Sequence, residues 1–413
     1  MDENIALREA MIPINAAFVA CMDAEVCFER LEVEVKIRAI AISVFELPAN
    51  TGRFRMEQTG QGARKRWAKR GAGKSAEHIH VLHVKTDEDI EGVCTVGDAR
   101  YTTMRSEDLE QLRLLAIGED PFDRERLAQK LHKATRGMFT RPGWFGAFDN
   151  CLWYIAGKVA GLPVHGLIGR ARSRCAAYYN FRSGSKEEAV ADAKKAVEMG
   201  FLAVKDHFGG TADENIACFH AVRDAVGRDV DILHDAAGCD YTLHDAIRVG
   251  KTLEALRFGW FEEPLADRDQ KNLQRLCDAL DIPILAPETL MHDVDLSAQW
   301  IISGATDALR ANARLGTTPT LKLAHLAEMY GANIEFNGPG GLFGLVHAHL
   351  VCAISNTSYY EFFPGGSRDV RGREIGLLNP PLPENGHITP PSDPGWGAEW
   401  DWEFFEKKRI GEL

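Results

Sequence analysis

The sequence predicts a parallel α/β barrel preceded by an α+β domain. Two observations carry this expectation. From about Ala176, strand-like runs recur at intervals of roughly 23–28 residues, with helical patterns between them. Three of these runs end in an acid: Asp235 in ILHDAAG, Glu262 in WFEEPL and Glu288 in ILAPETL, spaced 27 and 26 residues apart. That spacing is one strand–loop–helix–loop unit, so the acids fall at the same point of successive units. In a parallel barrel the strand ends line up at one mouth, where active sites are built.

The first 170 residues read as the α+β domain. Strand patterns come first, in VEVKIRAIAISVFEL and HIHVLHVKTDEDIEGVC, and helical patterns follow, ending in WFGAFDNCLWYIAGKVAG. Between the strand patterns lies the basic segment 51–76. It carries Arg53, Arg55, Arg64, Lys65, Arg66, Lys69, Arg70 and Lys74 against the single acid Glu57, with five glycines and no apolar period. It reads as a long mobile loop, either a solvated charge run or a lid that attracts an anionic substrate.

Residues 171–365 carry the barrel. Its runs are AAYYNF, LAVKDH, DVDILHD, LRFGWFE, IPILAPE, TDALRAN, NIEFN and SYYEFF. Eight parallel strands in about 190 residues is the count for a closed barrel. Ser185-Lys186-Glu187-Glu188 and Thr211-Ala212-Asp213-Glu214 are capping boxes that open the helices after the first two strands, and Gly200 stops the first of those helices. Residues 366–413 are loop-rich and read as a tail returning to the first domain.

Bulk properties narrow the function. With 45% hydrophobic residues, the 413-residue chain has enough apolar side chains for a large core. A net charge of −12 argues against nucleic-acid or anionic-membrane binding. Nine cysteines with no CxxC pair read as reduced core thiols of a cytoplasmic protein. The start, MDENIALREAM, is acidic, and the apolar stretch Met11–Val19 is short and holds a proline, unlike a signal peptide. We expect a homo-oligomer.

Three carboxylates at one mouth cannot share a low-dielectric site uncompensated. A hard dication is the natural partner, and oxygen ligation with open positions suits Mg²⁺. Asp235, Glu262 and Glu288 are therefore the expected metal ligands. On the second strand Lys205 and His207 share a face by the two-residue period. Histidine titrates near neutrality and suits a general base.

Taken together, LWYIAGKVAGLPVHGLIGR before the barrel, the HDA, FEEP and PET contexts and the PGWGAEWDW tail resemble the enolase superfamily, in its mandelate racemase-like branch. In ALRANARLGTTPTLKLAHLAE, FNGPGG and ISNTSYYE the chain is similar to dehydratases of acid sugars such as mannonate and galactonate. The resemblance implies a (β/α)7β barrel whose mouth is closed by the capping domain. It also implies Mg²⁺ and removal of the proton next to a substrate carboxylate, by a Lys or His base. His207 would take the C2 proton and Lys205 would contact the substrate carboxylate. Water would leave, giving a 2-keto-3-deoxy acid in carbohydrate catabolism. Two alternatives are a one-base isomerase or cycloisomerase of a sugar acid or lactone, and a metal-retaining binding protein without turnover. The Lys205-x-His207 pair tells against the latter.

The chain departs from that family on the far side of the barrel. Where related dehydratases end their seventh strand in His-Gly-Pro-Gly, this chain has Asn337-Gly338-Pro339-Gly340, and Asn312 stands where an Asp or His is common. An amide hydrogen-bonds but takes up no proton. Position 237, two after the metal Asp, is Ala rather than the His some members carry. Arg310, Asn312, Asn337 and Glu361 are expected to contact substrate, Arg310 alternatively to hold Glu288. Glu335 is expected to point inward with Arg310 as its partner. His325, His347 and His349 are expected to pack within helices, and Trp396, Trp400 and Trp402 to anchor the tail.

Overall fold

The computed structural model describes residues 35–48, 54–59, 66–73, 75–97, 103–338, 344–364 and 370–413. The chain divides into two compact units, Met1–Val35 and Lys36–Leu413. The second carries both the antiparallel sheet and the barrel. The acidic N-terminal stretch, with Cys21 and Cys27, lies outside the described residues.

The second unit opens with β1 (Ile37–Pro48), β2 (Phe54–Thr59), β3 (Arg66–Gly71), β4 (Ala76–Thr86) and β5 (Glu91–Thr95). Strands β1, β4 and β5 form an antiparallel sheet. Ile40, Ile42 and Phe45 of β1 are buried with Ile79, Val81 and Val84 of β4. Within the 51–76 segment, expected as a loop, β2 and β3 pair antiparallel from Phe54↔Gly71 to Thr59↔Arg66. The basic side chains hide the alternation that would have announced this hairpin. Arg53, Arg64, Lys65 and Lys74 lie outside the described residues. Helices α1 (Ser106–Ala116) and α2 (Arg124–Met138) follow the sheet.

Helix α3 (Gly146–Ala160) is apolar nearly all round and therefore buried. It couples the capping sheet to the barrel through polar groups at its start. Asp149 accepts from the Thr318 N–H at 2.8 Å, and Asn150 accepts from the Thr317 N–H at 2.9 Å while donating to the Ala313 carbonyl at 2.9 Å. Gly146 permits this approach, because a Cβ there would stand 1.8 Å from the Arg314 carbonyl oxygen.

After α4 (Val164–Ile168) the barrel alternates strictly. Its elements are β6 (Cys175–Asn180), α5 (Lys186–Glu198), β7 (Ala203–Asp206), α6 (Ala212–Val226), β8 (Asp231–Asp235), α7 (Leu243–Ala255), β9 (Trp260–Glu262), α8 (Gln270–Ala279), β10 (Ile284–Ala286), α9 (Val294–Ile302), β11 (Ala308–Ala311), α10 (Thr317–Met329), β12 (Ile334–Phe336), α11 (Gly344–Ala353) and β13 (Tyr360–Phe362). This is a (β/α)7β barrel. The capping boxes at Ser185 and Thr211 are formed, and Thr242 with Asp245 makes a third.

The parallel ladder runs β12-β11-β10-β9-β8-β7-β6-β13 and is nearly closed. Between β12 and β13, Glu335 bridges the seam. Its carboxylate accepts from the Ser358 N–H at 2.9 Å, the Tyr359 N–H at 3.4 Å and the Thr357 hydroxyl at 3.3 Å. Glu335 pairs in register with Arg310 and so shares its face, yet its partners are these donors and Asn333, not Arg310. Below the mouth, Tyr178, Ala203, Leu233, Trp260, Leu285 and Ala308 form a separate apolar layer inside the barrel.

The tail runs back to the first sheet, where Glu412 and Gly411 pair with Ser43 and Val44 of β1. Trp396 is buried and donates to the Asn150 carbonyl at 3.0 Å. Trp400 and Trp402 stack at 5.4 Å, and both rings meet Phe405. His347 and His349 are buried in α11, whereas His325, expected to pack, is exposed on α10. The seven described cysteines are free thiols. Among the described residues no helix is long and apolar enough to cross a membrane.

The barrel mouth as a candidate metal and active site

Each strand end contributes one inward side chain, because parallel neighbours in register present the same face. Asn180 pairs with Lys205, Asp235 with Glu262, and Arg310 with Glu335. The result is a buried ring of six charged groups: Asp235, Glu262, Glu288 and Glu361 against Lys205 and Arg310.

Lys205 Nζ stands 3.2 Å from Asp235 Oδ2, 3.0 Å from Glu262 Oε2 and 2.9 Å from Glu361 Oε1. Arg310 Nε lies 2.9 Å from Glu262 Oε1 and 3.2 Å from Glu288 Oε2, and its Nη2 lies 3.0 Å from Glu361 Oε2 and 3.2 Å from the Tyr178 hydroxyl. Glu361 also accepts from Asn180 Nδ2 at 3.2 Å and from the Gly338 N–H. Both its oxygens are thus engaged by the chain itself. In this arrangement Glu361 holds Lys205 and Arg310 in place. Trp260 Nε1 donates to Glu262 Oε2 at 3.2 Å.

His207 lies at the rim, 39% exposed, with Nε2 3.2 Å from Asp235 Oδ2. Its backbone N–H donates to the Ser183 hydroxyl at 2.9 Å. Four to five strands round the barrel, Asn312 Nδ2 donates to Asn337 Oδ1 at 2.9 Å and to the Asn337 carbonyl at 3.0 Å.

Four carboxylates against two cations leave two net negative charges in the ring. Protonation reflects that excess. Burial works to lower the Lys205 pKa, but Glu262 and Glu361 raise it well above the ordinary lysine value. Burial pushes Glu262 up to about 8, against Arg310 and Lys205 and with the help of Asp235 and Glu288. Glu263, next in the chain, is pushed to about 10 by burial and by Glu288 and Asp235. It also holds a left-handed backbone, φ 46°, which is costly for a residue with a Cβ. Asp235 goes the other way: burial raises it, but Lys205 and then His207 hold it well below the usual carboxylate range.

The donor chemistry and the charge fit a hard dication. Glu262 Oε1 is buried and makes no hydrogen bond of good geometry, although Arg310 Nε is 2.9 Å away. The spacing is looser than the chemistry. Among the described residues no three acid or histidine groups stand at metal-ligating distance of one point. Lys205 and Arg310 occupy the space between the acids.

Sequence reasoning passed over Asn180, Tyr178, Trp260 and Glu263. The first three were within reach, because each lies two or four residues from a mouth residue on the same strand or pairs in register with one. The strain at Glu263 has no sequence signature.

Fold and mouth together define a (β/α)7β-barrel protein with an acid-lined mouth and an antiparallel capping sheet. The chain belongs to the enolase superfamily, in its mandelate racemase/muconate lactonizing branch. A family model described as Enolase C-terminal domain-like matches residues 188–404, just over half the chain. A D-galactonate dehydratase family member from Catenulispora acidiphila is 26% identical over 369 residues, 78% of this chain and 82% of that protein. An arabinonate dehydratase from Saccharolobus solfataricus is 28% identical over 300 residues, 69% of this chain and 78% of that one. The crystal structure of D-glucarate dehydratase from Agrobacterium tumefaciens, complexed with magnesium, superposes with a TM-score of 0.75. It is 28% identical and covers 91% of this chain and 99% of its own.

Proposed function

We propose that the chain is a Mg²⁺-dependent hydro-lyase that dehydrates an acid sugar. The observation that carries this reading is the asymmetry of the mouth. His207 stands at the rim beside the carboxylate ring, and the opposite strands present the amides of Asn312 and Asn337. The dehydratases among the relatives support it.

Asp235, Glu262 and Glu288 would hold the metal, and a dication there would supply positive charge beside a substrate carboxylate, where negative charge develops. Glu262 and Glu361 hold Lys205 in its protonated form, so the acceptor role is assigned to His207. Lys205 fixes Asp235 and Glu262 and offers its charge to the substrate carboxylate. His207 removes the C2 proton. The electron pair left at C2 becomes the C2–C3 double bond as the C3–O bond breaks. The imidazolium returns its proton to the departing hydroxide, which leaves as water on the same face. The enol then tautomerises to the 2-keto-3-deoxy acid.

A library of mono- and diacid sugars incubated with Mg²⁺ in D₂O tests this. Dehydration gives a semicarbazide-reactive product. Isomerisation to a lactone gives none, and a binding protein shifts only its melting point. His207→Asn is expected to lower turnover by about 10²–10⁴-fold and to abolish C2 exchange. Asn337→Ala should keep exchange. Exchange at the wild-type rate in a folded, Mg²⁺-binding His207→Asn protein would show that another group is the base.

A further inference from the structure

Two His–Asp pairs stand at the ends of β7 and β8, one on each face of the sheet. Facing the mouth, His207 meets Asp235 at 3.2 Å. Facing the helix layer, Asp206 and His234 are register partners and meet at 2.7 Å between Oδ1 and Nδ1, both fully buried. His234 packs against Phe219 of α6, ring centroids 4.6 Å apart, and Phe261 of β9 at 5.4 Å.

The outward pair is tied to the proton acceptor through the backbone. Asp206 Oδ1 also accepts from the Phe208 N–H at 3.0 Å, and Phe208 directly follows His207. The Phe208 carbonyl in turn accepts from Cys239 Sγ at 3.0 Å and from Asn215 Nδ2 at 3.4 Å. Cys239 lies beside the His234 imidazole as well, although His234 Nε2 makes no hydrogen bond of good geometry. Phe208 is therefore gripped at its N–H by Asp206 and at its carbonyl by Cys239, and His234 touches both grips.

We propose that Asp206, His234 and Cys239 are positioning residues for His207. They form a buried clasp that fixes the backbone immediately after the proton acceptor. The inference rests on the reading of His207 as that acceptor. A buried carboxylate oxygen that loses a hydrogen-bond donor must find others, so loss of His234 would pull Asp206 from the Phe208 N–H. A reacting group misplaced by about 1 Å costs on the order of 100-fold in rate.

The test compares paired substitutions. Asp206→Ala and Cys239→Ala remove the grips. Asp206→Asn keeps an acceptor for the Phe208 N–H, and Cys239→Ser keeps a donor for the Phe208 carbonyl. The alanine variants are expected to lose about 10–100-fold in kcat, with KM and Mg²⁺ affinity within about twofold of wild type, and the conservative variants to recover most of the loss. In substrate-free protein, ¹⁵N NMR of the imidazoles should show the His207 signal shifted or broadened in the alanine variants, with the His349 signal unmoved. That readout decides the clasp even if no acid sugar is turned over, which separates its failure from failure of the dehydratase reading. Wild-type kcat and a wild-type His207 signal in both alanine variants would overturn the proposal. Equal losses in alanine and conservative variants, tracking melting temperature, would reduce the clasp to a structural brace. Should Asp206→Ala not fold, the Cys239 pair, on a half-buried loop residue, carries the comparison.

Discussion

Two buried polar clusters in this molecule are built on opposite rules. At the mouth, four acids and two bases share one low-dielectric space, with the acids in excess. At the tail anchor, a similar degree of burial is met with neutral groups and matched donors. His349 Nε2 donates to the Trp396 carbonyl at 3.2 Å, which fixes its tautomer. Its Nδ1 is then free to accept from the His165 N–H at 3.2 Å and from His165 Nδ1 at 3.0 Å. Burial, with His165 beside it, lowers the His349 pKa to about 3, so the pair stays uncharged. The difference teaches what each cluster is for. A joint between chain segments does best with no charge to desolvate. Under the proposed function, the excess of acids at the mouth is what a bound dication would neutralise.

The largest expected effect comes from breaking the mouth. Arg310→Met strips a guanidinium from Glu262, Glu288 and Glu361 at once. Removing one partner of a buried ion cluster costs about 3–5 kcal/mol. Urea denaturation of the metal-free protein measures it. A loss below about 1 kcal/mol would mean that water reaches the ring, and that the mouth is not the low-dielectric site described.

The anchor breaks by acid instead. His349 has a folded pKa near 3 against an ordinary 6.5. Between those values the unfolded chain binds the extra proton and the folded chain does not. The anchor's contribution is therefore complete above pH 6.5 and is lost as pH falls towards 3. At pH 5 the loss is about 2 kcal/mol. Melting curves from pH 8 to pH 5 should show it, and His349→Gln, which keeps a donor for Trp396, should flatten the slope. An unchanged slope in that variant would assign the acid sensitivity to other groups.

The contrast between the clusters is partly legible in the sequence. The beat of Asp235, Glu262 and Glu288 and the phase of Lys205 with His207 are local signals, so the grouping of mouth residues can be read from the chain alone. The capping boxes at Ser185 and Thr211 are legible for the same reason, since each spans four residues. The features that do not show in the sequence need register or long-range pairing. Glu335 finds donors across a seam that no ladder spans. Glu361 is saturated by groups from four other positions. Asp206 meets His234 only because β7 and β8 align at that rung. The β2–β3 hairpin is hidden by basic residues that mask its alternation.

A milder change sharpens the role of the mouth's surplus charge. Glu262→Gln removes one ligand charge with little change in volume. Wild type should gain about 2.7 kcal/mol of stability at a Mg²⁺ concentration 100 times its Kd. The variant should gain much less at the same concentration. Isothermal titration giving the same Mg²⁺ affinity in both proteins would count against the ligand assignment.

The smallest expected effect tests whether the two clusters are independent. Trp396→Phe deletes the indole N–H that donates to the Asn150 carbonyl at 3.0 Å. A neutral hydrogen bond of this kind contributes about 1 kcal/mol. Asn150 also holds the Thr317 N–H and the Ala313 carbonyl, next to Asn312 at the mouth. A path from tail to mouth therefore exists in the hydrogen bonds, but it ends on the amide side, four strands from His207. Stability should fall by about 1 kcal/mol while Mg²⁺ affinity and the rate of C2 exchange stay at wild-type values. A fall in Mg²⁺ affinity with Trp396→Phe would mean that the neutral anchor sets the geometry of the charged ring, and that the two clusters work as one.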